Sequence, residues 1–272
     1  MNSKIRIGKS ALRTMASLSI LREMGGICAV TENAPLTQAA RYTRLGASQD
    51  IVRLVDLGNK AFGCAMETIT SSMFGCSNVK DTPGKTGYDL EKSGCPIELK
   101  SSRLWTMGNN MNWRWQHVLP DHELSYLMCA GVDIDKVRYF IVSKPQFMAL
   151  ISDGFVTQQG GGGGQGCWFS STDVIGRSHE FQCPDVSGVS LAEQLDKFIA
   201  ENPSSPVALS REDIDRALEE GEQKKKERKR IIADEKTKEK ERKAELKAQE
   251  KAKEKARKAE LKAAEKAAKQ IN

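Results

Sequence analysis

Asp89, Glu98 and Lys100 are the residues whose types and spacing point to chemistry in this 272-residue chain. They lie within Gly87–Ser102, which reads as two short strands joined by a tight turn. Tyr88 and Leu90 flank Asp89, Ser93-Gly94 supply turn residues, and Pro96 stands where a strand can begin before Ile97-Glu98-Leu99-Lys100. Strand side chains alternate between faces, so Glu98 and Lys100 share one face while Ile97 and Leu99 point into a core. If the two strands pair, Asp89 reaches the same face. Two carboxylates and an ammonium then converge at a strand edge. Such carboxylate oxygens suit a hard cation such as Mg²⁺, which can activate water and offset the charge of a phosphodiester under attack. The plain alternative is a surface ion-pair cluster.

The elements around this hairpin follow from periodicity and punctuation. A helix is expected over residues 10–24, capped by Ser10 and stopped by Gly25-Gly26. Leu36 to Val55 has a loose helix-turn-helix character, although Tyr42 is large for the position four before Gly46. From Asp50 to Met73, Ile51, Leu54, Val55, Phe62, Met66 and Ile69 recur at helical spacing, and Glu67 lies on that helix. Phe74–Val79 reads as a short strand and Pro83-Gly84 as a turn. After the hairpin, residues 101–119 are irregular, aromatic and basic. Pro120 then starts a helix running to Ala130 and ended by Gly131. Lys136–Val142 is a strand, and Pro145 opens a short helix through Leu150. Gly160–Gly164, within a Gly-rich loop at 158–166, lacks the Gly-Lys-Ser/Thr of a phosphate-cradling loop and reads as a surface loop. Leu191–Glu201 is a helix, and Pro203-Ser-Ser-Pro206 is a linker.

This order resembles the PD-(D/E)XK nucleases, the restriction-endonuclease-like family. Asp89 corresponds to the first acid of their motif and Glu98-Leu99-Lys100 to its Glu-x-Lys, with Tyr88 where the family has proline. The resemblance covers residues 50–145. It implies an α/β (α+β) fold with an αβββαβ core, its central mixed sheet flanked by helices. The expected organisation is an N-terminal helical segment (1–49), a nuclease core (50–202), and a linker with a long charged helix (203–272). The implied activity is Mg²⁺-dependent hydrolysis of DNA (Mn²⁺ being a possible substitute) by an endonuclease of restriction or phage/mobile-element type, leaving 5′-phosphate and 3′-hydroxyl ends. Asp89 and Glu98 would be metal ligands, together with the Leu99 carbonyl, and Glu67 would complete a metal position or stand as an ordinary helix acid. Lys100 would orient or deprotonate the attacking water.

DNA contacts are expected from residues 103–117. Arg103 and Arg114 could hold phosphates, Trp105, Trp113 and Trp115 could stack on bases or simply cover the sheet, and Gln116 and His117 could add polar contacts. A His-Asn-His metal finger built from Asn112, His117 and His122 lacks the strands and ligand spacing it would need. His179 has no evident partner. Two rival readings follow: a non-catalytic DNA-binding protein using its basic helix, and a nuclease acting on RNA or branched DNA. Cutting both strands of a duplex with one site per chain would call for a homodimer.

Charge is unevenly placed. Gly221–Gln270 holds 20 Lys and Arg against 11 Asp and Glu, while Arg211–Glu220 holds 2 against 5. With a whole-chain charge of +6, residues 1–210 are neutral, so the basic balance does not by itself argue for nucleic acid. The tail reads as a solvated helix with acid-first pairs such as Glu239–Lys243, and Leu246 and Leu261 are too few for a coiled-coil seam. Seven scattered cysteines without a Cys-x-x-Cys pair read as reduced core residues. The expectation is an intracellular, soluble protein, cytoplasmic or nucleoid-associated (in the host cell if viral), with no membrane span and no organic cofactor.

Overall fold

The computed structural model describes residues 37–79, 87–107, 110–159 and 166–270. The helix expected at 10–24, the Pro83-Gly84 turn and the five-glycine run lie outside them. The chain divides into two units, one through Glu222 and one from Gln223.

Helices α1 (Gln38–Arg44), α2 (Gln49–Asp56) and α3 (Asn59–Phe74) come first. Thr37 and Ser48 cap α1 and α2 by accepting hydrogen bonds from Ala40 N (3.2 Å) and Ile51 N (3.3 Å). The long helical spacing from Asp50 is therefore broken in two at Leu57-Gly58. Next come strands β1 (Ser77–Asn78), β2 (Leu90–Lys92), β3 (Cys95–Ser102), β4 (Leu104–Met107), β5 (Asn110–Val118), β6 (Tyr126–Val132) and β7 (Val137–Ser143). Beyond them lie α4 (Lys144–Ser152), β8 (Thr157–Gln158), β9 (Cys167–Ser170), α5 (Ser171–Val174), β10 (His179–Glu180), α6 (Pro184–Ser187), α7 (Leu191–Glu201) and α8 (Arg211–Gln270).

The strands form two sheets. The larger has the order β1-β2-β3-β6-β7-β10 and is mixed, because β3 and β6 run parallel while its other pairs are antiparallel. The smaller, β4-β5-β9-β8, is antiparallel. The chain is thus α+β with a mixed central sheet.

One element differs in kind from the sequence expectation. Tyr126–Ala130, expected to be the second half of a helix running from Pro120, instead belongs to the central strand β6 (Tyr126–Val132), buried along its whole length. A strand covered on both faces shows a continuous apolar run, which periodicity alone does not separate from a buried helix. Gly131 is no helix stop: the Trp113 ring lies against it, and an added Cβ would collide with that ring. The connection between parallel β3 and β6 is consequently made by the β4–β5 hairpin rather than by the helix of an αβββαβ core.

Register assigns the two faces of the large sheet. Ile97, Leu99, Ser101, Tyr126, Met128, Ala130, Tyr139 and Ile141 share one of them. Helix α3 covers it, with Thr70 Oγ1 donating to the Tyr139 hydroxyl at 3.2 Å and Phe74 edge-on to the Tyr139 ring, and α7 adds Phe198 against Tyr126. Glu98, Lys100, Leu127, Cys129, Gly131, Phe140 and Val142 lie on the other face. The small sheet covers it through Trp113 and Trp115, whose indole N–H groups donate to Val132 O and Ala130 O at 3.0 Å.

The start of α8 belongs to the first unit. Ser210 Oγ accepts from Asp213 N at 3.1 Å and donates to its carboxylate, and Ile214 and Ala217 are buried. Gly221 approaches the body so closely that a Cβ there would collide with Ile151 O. In the second unit the helix is exposed over most of its described side chains and carries acid-first pairs, Glu239–Lys243 at 2.5 Å and Glu254–Lys258 at 2.6 Å. The described cysteines are free thiols, but only Cys76, Cys129 and Cys167 are buried; Cys64 and Cys95 are half-buried and Cys183 is exposed, so the expectation of core residues holds for three of the six. Among the described residues no helix is long and apolar enough to cross a membrane.

Candidate active site

Ser93 and Gly94 both adopt positive φ (54° and 77°), the turn that matches the twist of a two-residue hairpin loop. That turn sets the register Leu90↔Ile97, and one further step puts Asp89 opposite Glu98. Strand β2 begins only at Leu90, so alongside Asp89 the edge of β3 lacks a regular partner. The Asp89 side chain takes that place: its Oδ2 accepts from Leu99 N at 2.9 Å, while Asp89 N donates to Ile97 O at 3.2 Å. N–H and C=O of one strand residue leave the same edge, so the Leu99 carbonyl is directed to the side where Asp89 sits.

Glu98 is only 6% exposed, although it was expected on a polar face. Lys100 Nζ donates to Glu98 Oε1 in a short, charge-assisted hydrogen bond. Burial pushes the Glu98 carboxyl up to about 7; the adjacent Asp89 carboxylate adds to the rise, and Lys100 opposes it. Lys100 thus pairs with Glu98 while Asp89 crowds the same carboxyl at the strand edge, with the Lys100 side chain still partly exposed.

The segment before Asp89 is held by two residues that sequence reasoning passed over as participants here. His122 Nδ1 lies 3.0 Å from Gly87 O, and Lys144 Nζ donates to His122 O at 2.6 Å. Lys144 is buried at the first turn of α4, and burial pulls its ammonium down to about 8. Separations of 35 and 22 residues leave no local sequence signal for these contacts.

Other expected site residues are placed elsewhere. Glu67 lies on α3, which covers the sheet face opposite Glu98. It joins no cluster with Asp89 and Glu98: among the described residues no three His, Cys, Asp or Glu side chains are grouped to hold a metal. Arg103 is committed to the fold rather than to phosphate. Its Nε donates to Val55 O at 2.8 Å, Nη1 to Asn59 Oδ1 at 3.1 Å and Nη2 to Leu57 O, with the guanidinium over the Phe62 ring. A cation there satisfies the carbonyl end of α2. Trp113 and Trp115 are core residues and cannot stack on bases; Trp115 is fully buried. Arg114, Gln116 and His117 do reach the surface side of β5, His117 at positive φ (57°) where the β5–β9 register shifts. His122 is engaged with Gly87 O, and neither it nor His117 belongs to a group of three His, Cys, Asp or Glu side chains among the described residues.

The donor set suits a hard, mostly hydrated cation. Two carboxylates at one edge and a backbone carbonyl supply oxygen ligands, and Mg²⁺ ordinarily takes one or two carboxylates and keeps water or phosphate oxygens in its remaining positions. A closed all-protein cage would need more ligands than the described residues bring together. Compared with family models, with curated proteins and with solved structures, the chain matches none.

Proposed function

We propose that this protein is a Mg²⁺-dependent DNA endonuclease with a restriction-endonuclease-like centre, hydrolysing phosphodiester bonds to 5′-phosphate and 3′-hydroxyl ends. The observation that carries the reading is the convergence of Asp89, Glu98 and Lys100 at the edge of β3 that β2 leaves uncovered. Two acids forced together beside a single ammonium form a poor structural ion pair, and a cation relieves their repulsion.

Asp89, Glu98 and the Leu99 carbonyl would hold Mg²⁺, or Mn²⁺, which accepts the same oxygen donors. The ion, when bound, supplies a counter-charge to the phosphate and lowers the pKa of water. Glu98 would serve as a ligand in its carboxylate form. Lys100, fixed by Glu98, orients the attacking water and offsets charge on the scissile phosphate. His122 and Lys144 keep the residues before Asp89 in place and touch no reacting atom.

A plasmid assay tests this. Supercoiled DNA incubated with the protein should be nicked or linearised in Mg²⁺ and left intact in EDTA, and Asp89→Asn should leave it intact in both. Intact DNA with the wild type, or equal cutting by the variant, overturns the reading.

A first unit of net charge −4 and a second of +10 suggest separate contributions to binding. Truncation after Glu222 should flatten the salt dependence of DNA affinity, since every phosphate that is no longer neutralised takes about 0.9 off the slope of log affinity against log salt. Cleavage at low salt should persist. Its complete loss would make the second unit part of the site.

A further inference from the structure

The small sheet has a buried face and an outer face, and its outer face is unusual in composition. Leu104, Trp113, Trp115, Cys167 and Phe169 point inward and are buried. The alternate residues Trp105, Arg114 and Trp168 point outward from three adjacent strands, β4, β5 and β9. The Arg114 guanidinium carbon lies 4.9 Å from the centre of the Trp105 ring and 5.3 Å from that of Trp168. Trp105 nevertheless remains 44% exposed, and Gln116 is exposed further along β5. Two indoles on strands about 10 Å apart thus flank a guanidinium that orients both rings and places positive charge between them.

We propose that this outer face binds single-stranded DNA, with bases stacking on Trp105 and Trp168 and the backbone drawn to the charge at Arg114. Aromatic planes with an interleaved cation are the features by which proteins hold single strands regardless of sequence. A duplex offers them little, because each base face inside it is already covered by its neighbours. The face is tied to the catalytic strand: Arg114 N donates to Ser102 Oγ at 2.9 Å, and Ser102 follows Lys100 by two residues on β3. The inference shares with the proposed function the premise that DNA is the substrate, and does not require that the DNA be cut.

Fluorescence anisotropy of labelled oligo(dT), measured with the full-length protein in EDTA and moderate salt, tests it. Trp105→Ala and Trp168→Ala should each weaken binding about tenfold, the loss of one stacked base, and Trp105→Phe should restore most of it. Affinity for a blunt duplex should be unchanged in the same variants. Unaltered oligo(dT) affinity in both alanine variants overturns the proposal, as does an equal loss on single strand and duplex. Tighter binding of oligo(U) than of oligo(dT), lost in the same variants, overturns the assignment to DNA. Plasmid cleavage by a protein whose alanine variants bind normally would sink this face and leave the nuclease standing. Trp105-dependent binding by a protein that never cuts would do the reverse.

Discussion

Exchange of Glu98 for Gln should lower Mg²⁺-dependent cleavage about a thousand-fold or more, the equivalent of the several kcal/mol that a bound metal contributes to charge stabilisation. The amide keeps the size and one carbonyl oxygen of the native side chain but offers no negative charge. Lys100 would lose its anionic partner as well, since its Nζ is placed by the short bond to Glu98 Oε1. Lys100→Met should cost less, about a hundred-fold, because it removes the ammonium proposed to orient water and leaves both carboxylates. Single-turnover rates at saturating Mg²⁺ check both. Glu98→Gln retaining even a tenth of wild-type activity would show that the metal is held elsewhere.

The same exchange should stabilise the fold at alkaline pH. The folded Glu98 carboxyl sits at about 7, above the ordinary glutamate range, because it is buried next to Asp89. A carboxyl raised in this way favours the folded state fully below its ordinary value and loses that contribution as pH rises through 7. Between pH 4.5 and 8 the metal-free wild type should therefore lose about 3 kcal/mol relative to Glu98→Gln. Urea unfolding of both proteins at the two pH values in EDTA measures the difference. Lys144 works in the opposite direction, its depressed ammonium contributing stability that falls away as pH drops through 8, but it is common to both proteins and cancels. Adding Mg²⁺ at pH 8 should raise the wild-type melting temperature and leave that of Glu98→Gln unchanged. A stability gap that does not vary with pH would contradict the origin assigned to the raised carboxyl.

The site hairpin was legible because its signals are local. Ser93-Gly94 permits the positive φ of both turn residues, and the two-residue period of Ile97-Glu98-Leu99-Lys100 fixes which side chains travel together. Strand β7 and helices α4 and α7 were legible for similar reasons, and Ser190 closes a capping box with Glu193. Strand β6 was not, because burial on both faces erases alternation. The small sheet did leave a trace in Trp113-Arg114-Trp115-Gln116, which alternates apolar and polar residues and places the two tryptophans inward. Without the partner strand β9, more than 50 residues away, that trace could equally mark a binding stretch. The position of Glu67 turned on which face of the sheet α3 covers, a matter of chain path that helical periodicity does not contain.

Asp89 also stands in for a missing strand residue. Just before β2 begins, its carboxylate accepts the Leu99 N–H that a longer strand would have engaged through a backbone carbonyl. Removing the side chain would leave a part-buried backbone donor orphaned, a defect of the sheet in its own right. Loss of cleavage in Asp89→Ala would mix two causes, an absent ligand and a loosened edge. Asparagine separates them: its amide oxygen can still accept from Leu99 while the charge that would draw the proposed cation is gone. The acid that marks the centre is thus also backbone by proxy, and only a substitution that preserves the second role reports on the first.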